Sequence, residues 1–357
     1  METEEKVALI KSFAEEILTE EELVKLFETK THPVAYDGFE PSGKMHIAQG
    51  LMRAINVNKF LQTGCHFKML IADWHAWANN KMGGDLEKIQ TVGKYFIEIW
   101  RAAGMDVHKV EFVWVDHLAS DKSYWKDVMT IARTNTLKRV LRCSQIMGRS
   151  ESDSLSAAQI LYPCMQAADI FKLGADITNL GMDQRKVNVL AREVGETLGF
   201  WKPVVVSNHM LLGLQRIEAS GDAVERAIEM KMSKSKPDTA IFMTDPTEEI
   251  ARKIGKAYCP EKQLTENPIM EYFKYIFFEL NKSVMIERAK KFGGDLELAS
   301  YDELAALYAQ GGIHPQDLKT AAVRYIDQAL QPVRTHFEQN EKARELLAFV
   351  NEQQVTR

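Results

Sequence analysis

The chain has few cysteines, and none is placed for chemistry. Cys65, Cys143, Cys164 and Cys259 lie far apart and no Cys-x-x-Cys occurs. That excludes a zinc knuckle or a dithiol redox pair and predicts free buried thiols in a reducing compartment. No apolar run approaches the roughly 20 residues that span a bilayer. The opening, Met1-Glu2-Thr3-Glu4-Glu5-Lys6, is acidic, unlike a secretory signal or a basic transit segment, so the cytoplasm is the expected location. An excess of positive charge is also missing. Lys and Arg number 45 against 50 Asp and Glu, a formal net charge of −5. A nucleic acid would therefore have to be met by a local stripe. There is no internal repeat and no low-complexity tract.

What is present is ordinary in bulk and specific in detail. With 357 residues, 45% hydrophobic and 27% charged, the composition is that of a globular protein of two domains. Residues 4–28 carry Val7, Ile10, Phe13, Ile17 and Leu18 at helical spacing and read as helix. Short apolar runs then recur at Val34–Tyr36, Phe67–Ala72, Val110–Val115, Asp176–Leu180 and Val204–Val206. Helical patterns separate them, one being the stripe Ile89, Val92, Phe96, Ile99 and Ala103, which stops at Gly104. Alternating strand and helix predicts an α/β fold, a parallel sheet with helices on both faces. Ligands in such sheets sit beyond the carboxyl ends of the strands. From Asp245-Pro246 onward the strand signals stop, and residues 247–357 read as an all-helical second domain broken by Gly293-Gly294, Gly311-Gly312, Pro315 and Pro332.

Two segments suit phosphate. Lys231-Met232-Ser233-Lys234-Ser235 contains no acid; its ammonium groups are point charges that follow a moving phosphate. By itself it also reads as a solvated basic loop. Far upstream, Gly38-Phe39-Glu40-Pro41-Ser42-Gly43-Lys44-Met45-His46-Ile47 follows the first sheet strand and precedes an apolar-periodic helix. A helix start offers free N–H groups to an anion, Gly38 and Gly43 permit close backbone approach, and His46 is expected in the first turn. A third feature is basic: Arg133, Lys138, Arg139, Arg142 and Arg149 share a stretch without acids, which is either a solvated helix face or a phosphate-binding stripe.

These two phosphate elements together resemble the paired signatures of class I aminoacyl-tRNA synthetases. Tyr36-Asp37-Gly38-Phe39-Glu40-Pro41-Ser42-Gly43-Lys44 is similar to the first-strand motif of the archaeal and eukaryotic tyrosyl-tRNA synthetases. So are Ala72-Asp73-Trp74-His75-Ala76, Tyr162-Pro163-Cys164-Met165-Gln166-Ala167-Ala168-Asp169 and Gly181-Met182-Asp183-Gln184-Arg185-Lys186. In the tail, Lys291-Phe292-Gly293-Gly294-Asp295 and His314-Pro315-Gln316-Asp317-Leu318-Lys319 also match, in the family's order. There are two departures. The histidine signature reads His46-Ile47-Ala48-Gln49, with Ala and Gln replacing its glycine and second histidine, and the acidic stretch Gln215–Met230 is longer than the family's connection.

The resemblance implies a Rossmann-like catalytic domain over residues 1–246 and a helical anticodon-binding domain over 247–357. It implies ATP, with Mg2+, as a substrate alongside L-tyrosine and tRNA(Tyr), and no resident metal. His46, Lys231 and Lys234 would stabilise the reacting phosphates, with Gly38, Gly43 and Ser233 completing the ATP site. Tyr36 and Asp169 would meet the phenolic hydroxyl. Tyr162, Gln166 and Gln184 would hold the amino group, with Glu40 nearby. Without the resemblance, Tyr162 and Gln166 read as one helix face packed on the sheet, and Asp169 as a surface acid. Asp73 and His75 either serve substrate or end a strand. Arg142 and Lys186 would face the first tRNA base pair. Phe292 and His314 would sandwich an anticodon base whose edge Asp317 accepts from; otherwise they are a core Phe and a turn His. The family implies a homodimer joined through residues 110–165 and a mobile lysine loop. The rival readings are the tryptophanyl sister enzyme and a catalytically silent RNA-binding paralogue.

Overall fold

A computed structural model describes residues 1–148, 154–216, 226, 229–234 and 236–353. Arg149, Ser235 and most of the stretch 215–230 lie outside the described residues. The centre is a six-stranded sheet of β1 (Ala14–Leu18), β2 (Val34–Phe39), β3 (His66–Ile71), β4 (Val110–Trp114), β5 (Ile177–Gly181) and β6 (Val204–Asn208), in the order β1-β6-β5-β2-β3-β4. All pairs are parallel except β1–β6. The chain begins this parallel set at its middle, so β2 and β5 lie side by side while their connections leave in opposite directions. That is the switch point at which doubly wound sheets bind ligands.

Each of the five predicted apolar runs forms a strand, because both sheet faces are covered. Ala35, Met69 and Val206 belong to one buried cluster; Tyr36, Leu70 and Leu180 belong to the other. Helices α3 (Leu51–Gln62) and α5 (Leu86–Ala102) flank the first cluster. Helices α7 (Lys122–Thr134), α9 (Ala157–Lys172) and α10 (Arg185–Thr197) flank the second. Gly104 ends the α5 pattern at φ +86°, in the left-handed region that favours glycine.

The helix expected over residues 4–28 is instead α1 (Thr3–Lys11), strand β1, and α2 (Glu20–Thr29). Phe13 and Ile17 are four apart and mimic a helical stripe. Tertiary pairing wins because β1 completes the open edge of β6, with Ile17 opposite Val206 and Leu18 opposite Val205. Thr19 and Glu22 form a capping box that starts α2 inside the stretch.

The C-terminal region is helical, with one addition: a short antiparallel hairpin of β7 (Val284–Ile286) and β8 (Leu296–Leu298). Pro332, expected as a break, lies inside helix Pro315–Gln339. Its missing N–H costs one backbone bond, offset by burial of Leu330, Val333 and Phe337 on both sides of it. This tail is packed directly on the catalytic side. Tyr95 of α5 meets Phe337 with ring centroids 5.6 Å apart, and His336 Nε2 lies 2.8 Å from Glu98 Oε2. One buried cluster runs from Met69 and Phe96 through Ile254, Phe277 and Leu330.

Candidate functional site

A cleft opens at the carboxyl ends of β2, β5 and β6. Tyr36, Asp37, Gly38, Glu40, Ser42, His46, Tyr162, Gln166, Asp169, Gln184 and Lys231 all line it. The sheet explains the convergence. Tyr36 and Gly38 lie on β2, Gln184 just beyond β5, and Tyr162, Gln166 and Asp169 on the face of α9 turned to the sheet. The helical spacing of these last three is functional as well as structural.

The deep end is built for a hydroxyl. Asp169 is fully buried; its Oδ1 accepts from the Tyr124 hydroxyl at 3.0 Å and its Oδ2 lies 3.0 Å from His75 Nε2. The Tyr36 hydroxyl and Gln166 Oε1 are buried without a hydrogen-bond partner among the described residues. Burial, then the charges of Asp169 and Asp37, push the Tyr36 phenol well above its ordinary range, so it remains a donor. Burial pulls His75 down, but the Asp169 carboxylate outweighs it and raises the imidazole. Next along the cleft, Tyr162 donates to Glu40 Oε1 at 2.6 Å, and Gln166 Nε2 donates to Gln184 Oε1 at 3.0 Å. Gln184 Nε2 in turn donates to the Ile146 carbonyl at 3.2 Å. These groups form one polar wall able to hold an ammonium.

The outer end is cationic. Lys234 Nζ donates to Ser42 Oγ at 3.1 Å and sits 4.9 Å above the Phe96 ring of α5. Burial, reinforced by the charge of Lys81, lowers Lys234 to about 7, against an ordinary 10.5. Lys231 Nζ pairs with Asp183 Oδ2 at 2.7 Å. Burial raises Asp183, but Lys231 outweighs it and the carboxylate stays below its usual range. His46 is buried, and desolvation followed by the charges of Lys234 and Lys231 holds it well below 6.5, in the neutral form. His46 does not sit in a helical first turn as expected. It pairs with Phe242 in an isolated bridge and precedes a hydrogen-bonded turn, the helix proper starting at Leu51. Gly50 explains the delay: a Cβ there would lie 2.5 Å from Met243 Sδ, so the chain hugs the segment that follows the lysine loop. Gly43 has φ +109°. The lysine loop is docked by the Leu212–Lys231 bridge and by Met232 N donating to the Leu211 carbonyl at 2.9 Å. Ser233 is described and adjoins these lysines; Ser235 is not among the described residues.

Several residues that line the cleft or bond to its lining escape sequence reasoning. Tyr124 comes from α7, far along the chain, with no local signal. Asp183 belongs to the Gly181–Lys186 motif, whose pattern by itself assigns it no role. Arg53 is hidden in the buried part of α3, where Asn56 and Lys59 are buried as well. Asn79 Nδ2 lies 3.3 Å from both Glu40 carboxylate oxygens. Asp73 is structural, accepting from the backbone of Trp74 and Asp116 and from Gln90, while His75 enters the cleft. No group of three or more His, Cys, Asp or Glu among the described residues is placed to hold a metal.

Gly43, Ser233 and Lys234 adjoin the cleft without lining it, and the remaining predicted residues lie outside it. Arg142 is exposed at the end of α8 (Leu137–Leu141), and Lys186 is in the first turn of α10. Cys143 Sγ lies 3.7 Å from the Lys186 carbonyl, so the two segments adjoin. Arg139 of the same basic stretch is paired with Glu193 at 2.6 Å. In the tail, Phe292 is 62% exposed, far from a core position. His314 caps helix Pro315–Gln339, its Nδ1 accepting from Gln316 N at 3.1 Å, and Asp317 N donates to the His314 carbonyl at 3.0 Å. Arg288 ties the two loops together, reaching the Gly294 carbonyl at 2.9 Å and the Gly312 carbonyl at 2.7 Å.

Comparison with known proteins bears on this geometry. The family described as tRNA synthetases class I (W and Y) matches residues 28–331. The cytoplasmic tyrosine–tRNA ligase 1 of Arabidopsis thaliana is 52% identical over the whole chain, which spans 90% of that relative. The tyrosyl-tRNA synthetase of Pyrococcus horikoshii, solved with L-tyrosine, superposes with a TM-score of 0.90 at 38% identity, covering 98% of this chain and 100% of that one. The Leishmania major synthetase solved with tyrosinol has a TM-score of 0.88 at 43% identity; 98% of this chain is covered, but only 66% of the longer parasite chain.

Proposed function

We propose, from the premise that this chain belongs to the class I family of tryptophanyl- and tyrosyl-tRNA synthetases, that it charges tRNA(Tyr) with L-tyrosine. ATP activates the amino acid as tyrosyl-adenylate, pyrophosphate leaves, and AMP leaves when a ribose hydroxyl of the tRNA terminus takes the tyrosyl group. The observation that carries the choice of amino acid is the deep end of the cleft. A buried carboxylate, Asp169, and a buried unpartnered hydroxyl, Tyr36, face one space. A phenol donates to one and accepts from the other. Phenylalanine offers nothing to the Tyr36 hydroxyl or to Asp169 Oδ2, and an indole N–H leaves Tyr36 without an acceptor. Each unmet buried group costs about 1–3 kcal/mol.

Activation needs alignment more than acid–base chemistry. The tyrosine carboxylate is already ionised and attacks the α-phosphorus directly. Gln166, Gln184, Tyr162 and Glu40 hold the ammonium and so aim the carboxylate. Lys234, Lys231 and neutral His46 donate to the phosphate oxygens as charge moves to pyrophosphate. Ser42 and Ser233 flank the same place, and Gly38 and Gly43 let the backbone approach. Magnesium enters as the metal complex of ATP, as part of the substrate.

Residues 1–246 act as the catalytic unit and residues 247–357 as the anticodon-binding unit. Arg142 and Lys186 face the first base pair of the acceptor stem. Phe292 and His314 stack on the first anticodon base while Asp317 accepts from its edge. Arg288, which joins their loops, supports this reading. Residues 110–165 join two copies. The large exposed apolar side chains of Met129 (58%) and Leu137 (59%) in that segment support the assignment. No described helix is long and apolar enough to cross a membrane, and we assign the activity to the cytoplasm, where the named plant relative is placed. Amino-acid-dependent exchange of labelled pyrophosphate into ATP tests the reading: tyrosine should support exchange. Exchange with tryptophan alone would overturn it.

A further inference from the structure

The segment that leaves the lysine loop is built against the histidine signature. Ile47 N donates to the Ile241 carbonyl and Met243 N to the Met45 carbonyl, both at 2.9 Å, so His46 and Phe242 stand opposite each other as an antiparallel pair. His46 Nδ1 is buried with no hydrogen-bond partner among the described residues. Nothing at that atom fixes the ring, so its place in the cleft is inherited from the backbone pair. Whatever holds Phe242 therefore holds His46.

The holder comes from beyond the sheet. Helix Thr247–Lys256 buries Ile250 and Ile254, and Lys253 lies with them at 4% exposure. Lys253 Nζ donates to Asp245 Oδ2 at 2.7 Å and to the Ala240 carbonyl at 2.9 Å, and it lies 4.8 Å from the centroid of the Phe242 ring. Glu249 Oε1 is 3.5 Å away. Asp245 Oδ2 also accepts from Phe242 N at 3.0 Å, and Asp245 N donates to the Phe242 carbonyl at 3.1 Å, closing a turn. Arg334 Nη1 braces the same turn, donating to the Asp245 carbonyl at 3.1 Å.

Stability alone does not call for a lysine here. Burying an ion pair is costly, and apolar side chains of similar volume often serve a fold as well or better. An apolar side chain would fill the space, but it could not tie Ala240, Phe242 and Asp245 to one point. What the ammonium adds is a fixed position for one short segment.

We propose that Lys253 is a positioning residue for His46. It fixes the Ala240–Asp245 segment and, through the backbone pair, sets the imidazole against the phosphates of ATP. This inference rests on the function proposed above. The first helix of the C-terminal region then serves the chemical step as well as the tail. Misplacing a group by about 1 Å costs on the order of 10²-fold in rate, even when the change is remote from the chemistry.

The test asks whether Lys253 acts through His46. Two variants are made: Lys253→Met combined with Asp245→Asn, which strands no charge and keeps an acceptor for Phe242 N, and Lys253→Arg, which keeps the charge but moves it. Each is placed in the parent chain and in His46→Ala. Single-turnover formation of tyrosyl-adenylate is followed with enzyme in excess, and tyrosine binding by equilibrium dialysis. In the parent chain the paired replacement should slow adenylate formation by about 10- to 100-fold, with Lys253→Arg in between. In His46→Ala the same replacements should cost within about 3-fold, since two residues acting as one unit are not additive. Tyrosine binding should stay within about 3-fold throughout. The same fold-loss in both backgrounds overturns the proposal, as does an unchanged rate in the parent chain. Loss of tyrosine binding in both variants overturns it too, because Lys253 then holds the fold and not His46. Should only the paired variant lose tyrosine binding, Lys253→Arg decides by the same comparison. A parent chain that forms no tyrosyl-adenylate would instead overturn the function on which the inference rests.

Discussion

Replacing His209 by glutamine should remove a pH-dependent share of the folding free energy. His209 follows β6 at the rim of the cleft. Its Nδ1 lies 2.9 Å from Glu15 Oε2 on β1, and its Nε2 lies 3.2 Å from Glu271 Oε2 on helix Pro268–Tyr272. The ring stacks on Tyr275 with centroids 4.3 Å apart. Lys274 is a further charge near Glu15. Burial favours the neutral ring, but the two carboxylates outweigh it and raise the imidazolium to about 9, from an ordinary 6.5. The folded protein therefore holds this proton more tightly than the unfolded chain does. The resulting stability is fully present below pH 6.5 and is lost as pH rises through about 9. The gap between those values corresponds to about 3 kcal/mol at ~1.36 kcal/mol per pH unit. Urea unfolding of both proteins without substrates, near pH 6 and near pH 10, reads this directly. The variant should be less stable by about 3 kcal/mol at the lower pH and nearly equal to the parent at the higher one. A deficit that is the same at both pH values would refute the reasoning.

Other outcomes follow from the cleft and the tail. Lys234→Ala should lower tyrosine-dependent pyrophosphate exchange by about 10²- to 10³-fold, as expected for losing one donor to the transferring group; unchanged exchange would remove Lys234 from the phosphate site. Asp169→Asn should cost about 10- to 100-fold in kcat/KM for tyrosine, whereas Tyr124→Phe, which only positions Asp169, should cost under about 10-fold; the reverse ranking would contradict the arrangement. Phe292→Ala should reduce kcat/KM for tRNA by about 5- to 150-fold through lost base stacking, with pyrophosphate exchange intact, and equal losses in both assays would point to misfolding of the tail. Leu137→Asp should convert a dimer to a monomer in sedimentation, and a variant that sediments like the parent would move the interface elsewhere.

How much of this was legible in the sequence depends on the kind of signal. The parallel strands were legible because a sheet covered on both faces demands continuous apolar runs, and Val204–Val206 or Met69–Ile71 can be little else. β1 was not, because Phe13 and Ile17 satisfy a helical period and the pairing that overrides it comes from Val205 and Val206, far along the chain. The β7–β8 hairpin was missed since strands of three residues carry almost no periodicity. In the cleft, Tyr36, Asp169, Tyr162, Gln166, Gln184 and the lysines were found through motifs, and the fold brings them to one place. Tyr124, Arg53 and Arg288 stand outside any motif; each acts through a tertiary contact that no local pattern signals.

The packing of the tail against α5 has a consequence for how such a molecule can be rebuilt. Phe337 and His336 rest on Tyr95 and Glu98, and the next residue beside Tyr95, Phe96, lies under the ammonium of Lys234. A recombinant chimera that exchanged only residues 247–357 for another RNA reader would strand an aromatic and an acid on α5 and disturb the floor beneath the lysine. Grafting a foreign tail therefore requires transplanting the outward face of α5 with it. The interchangeable cassette in this architecture is the tail plus that helix face, and its joint does not coincide with the point where strand signals end in the sequence.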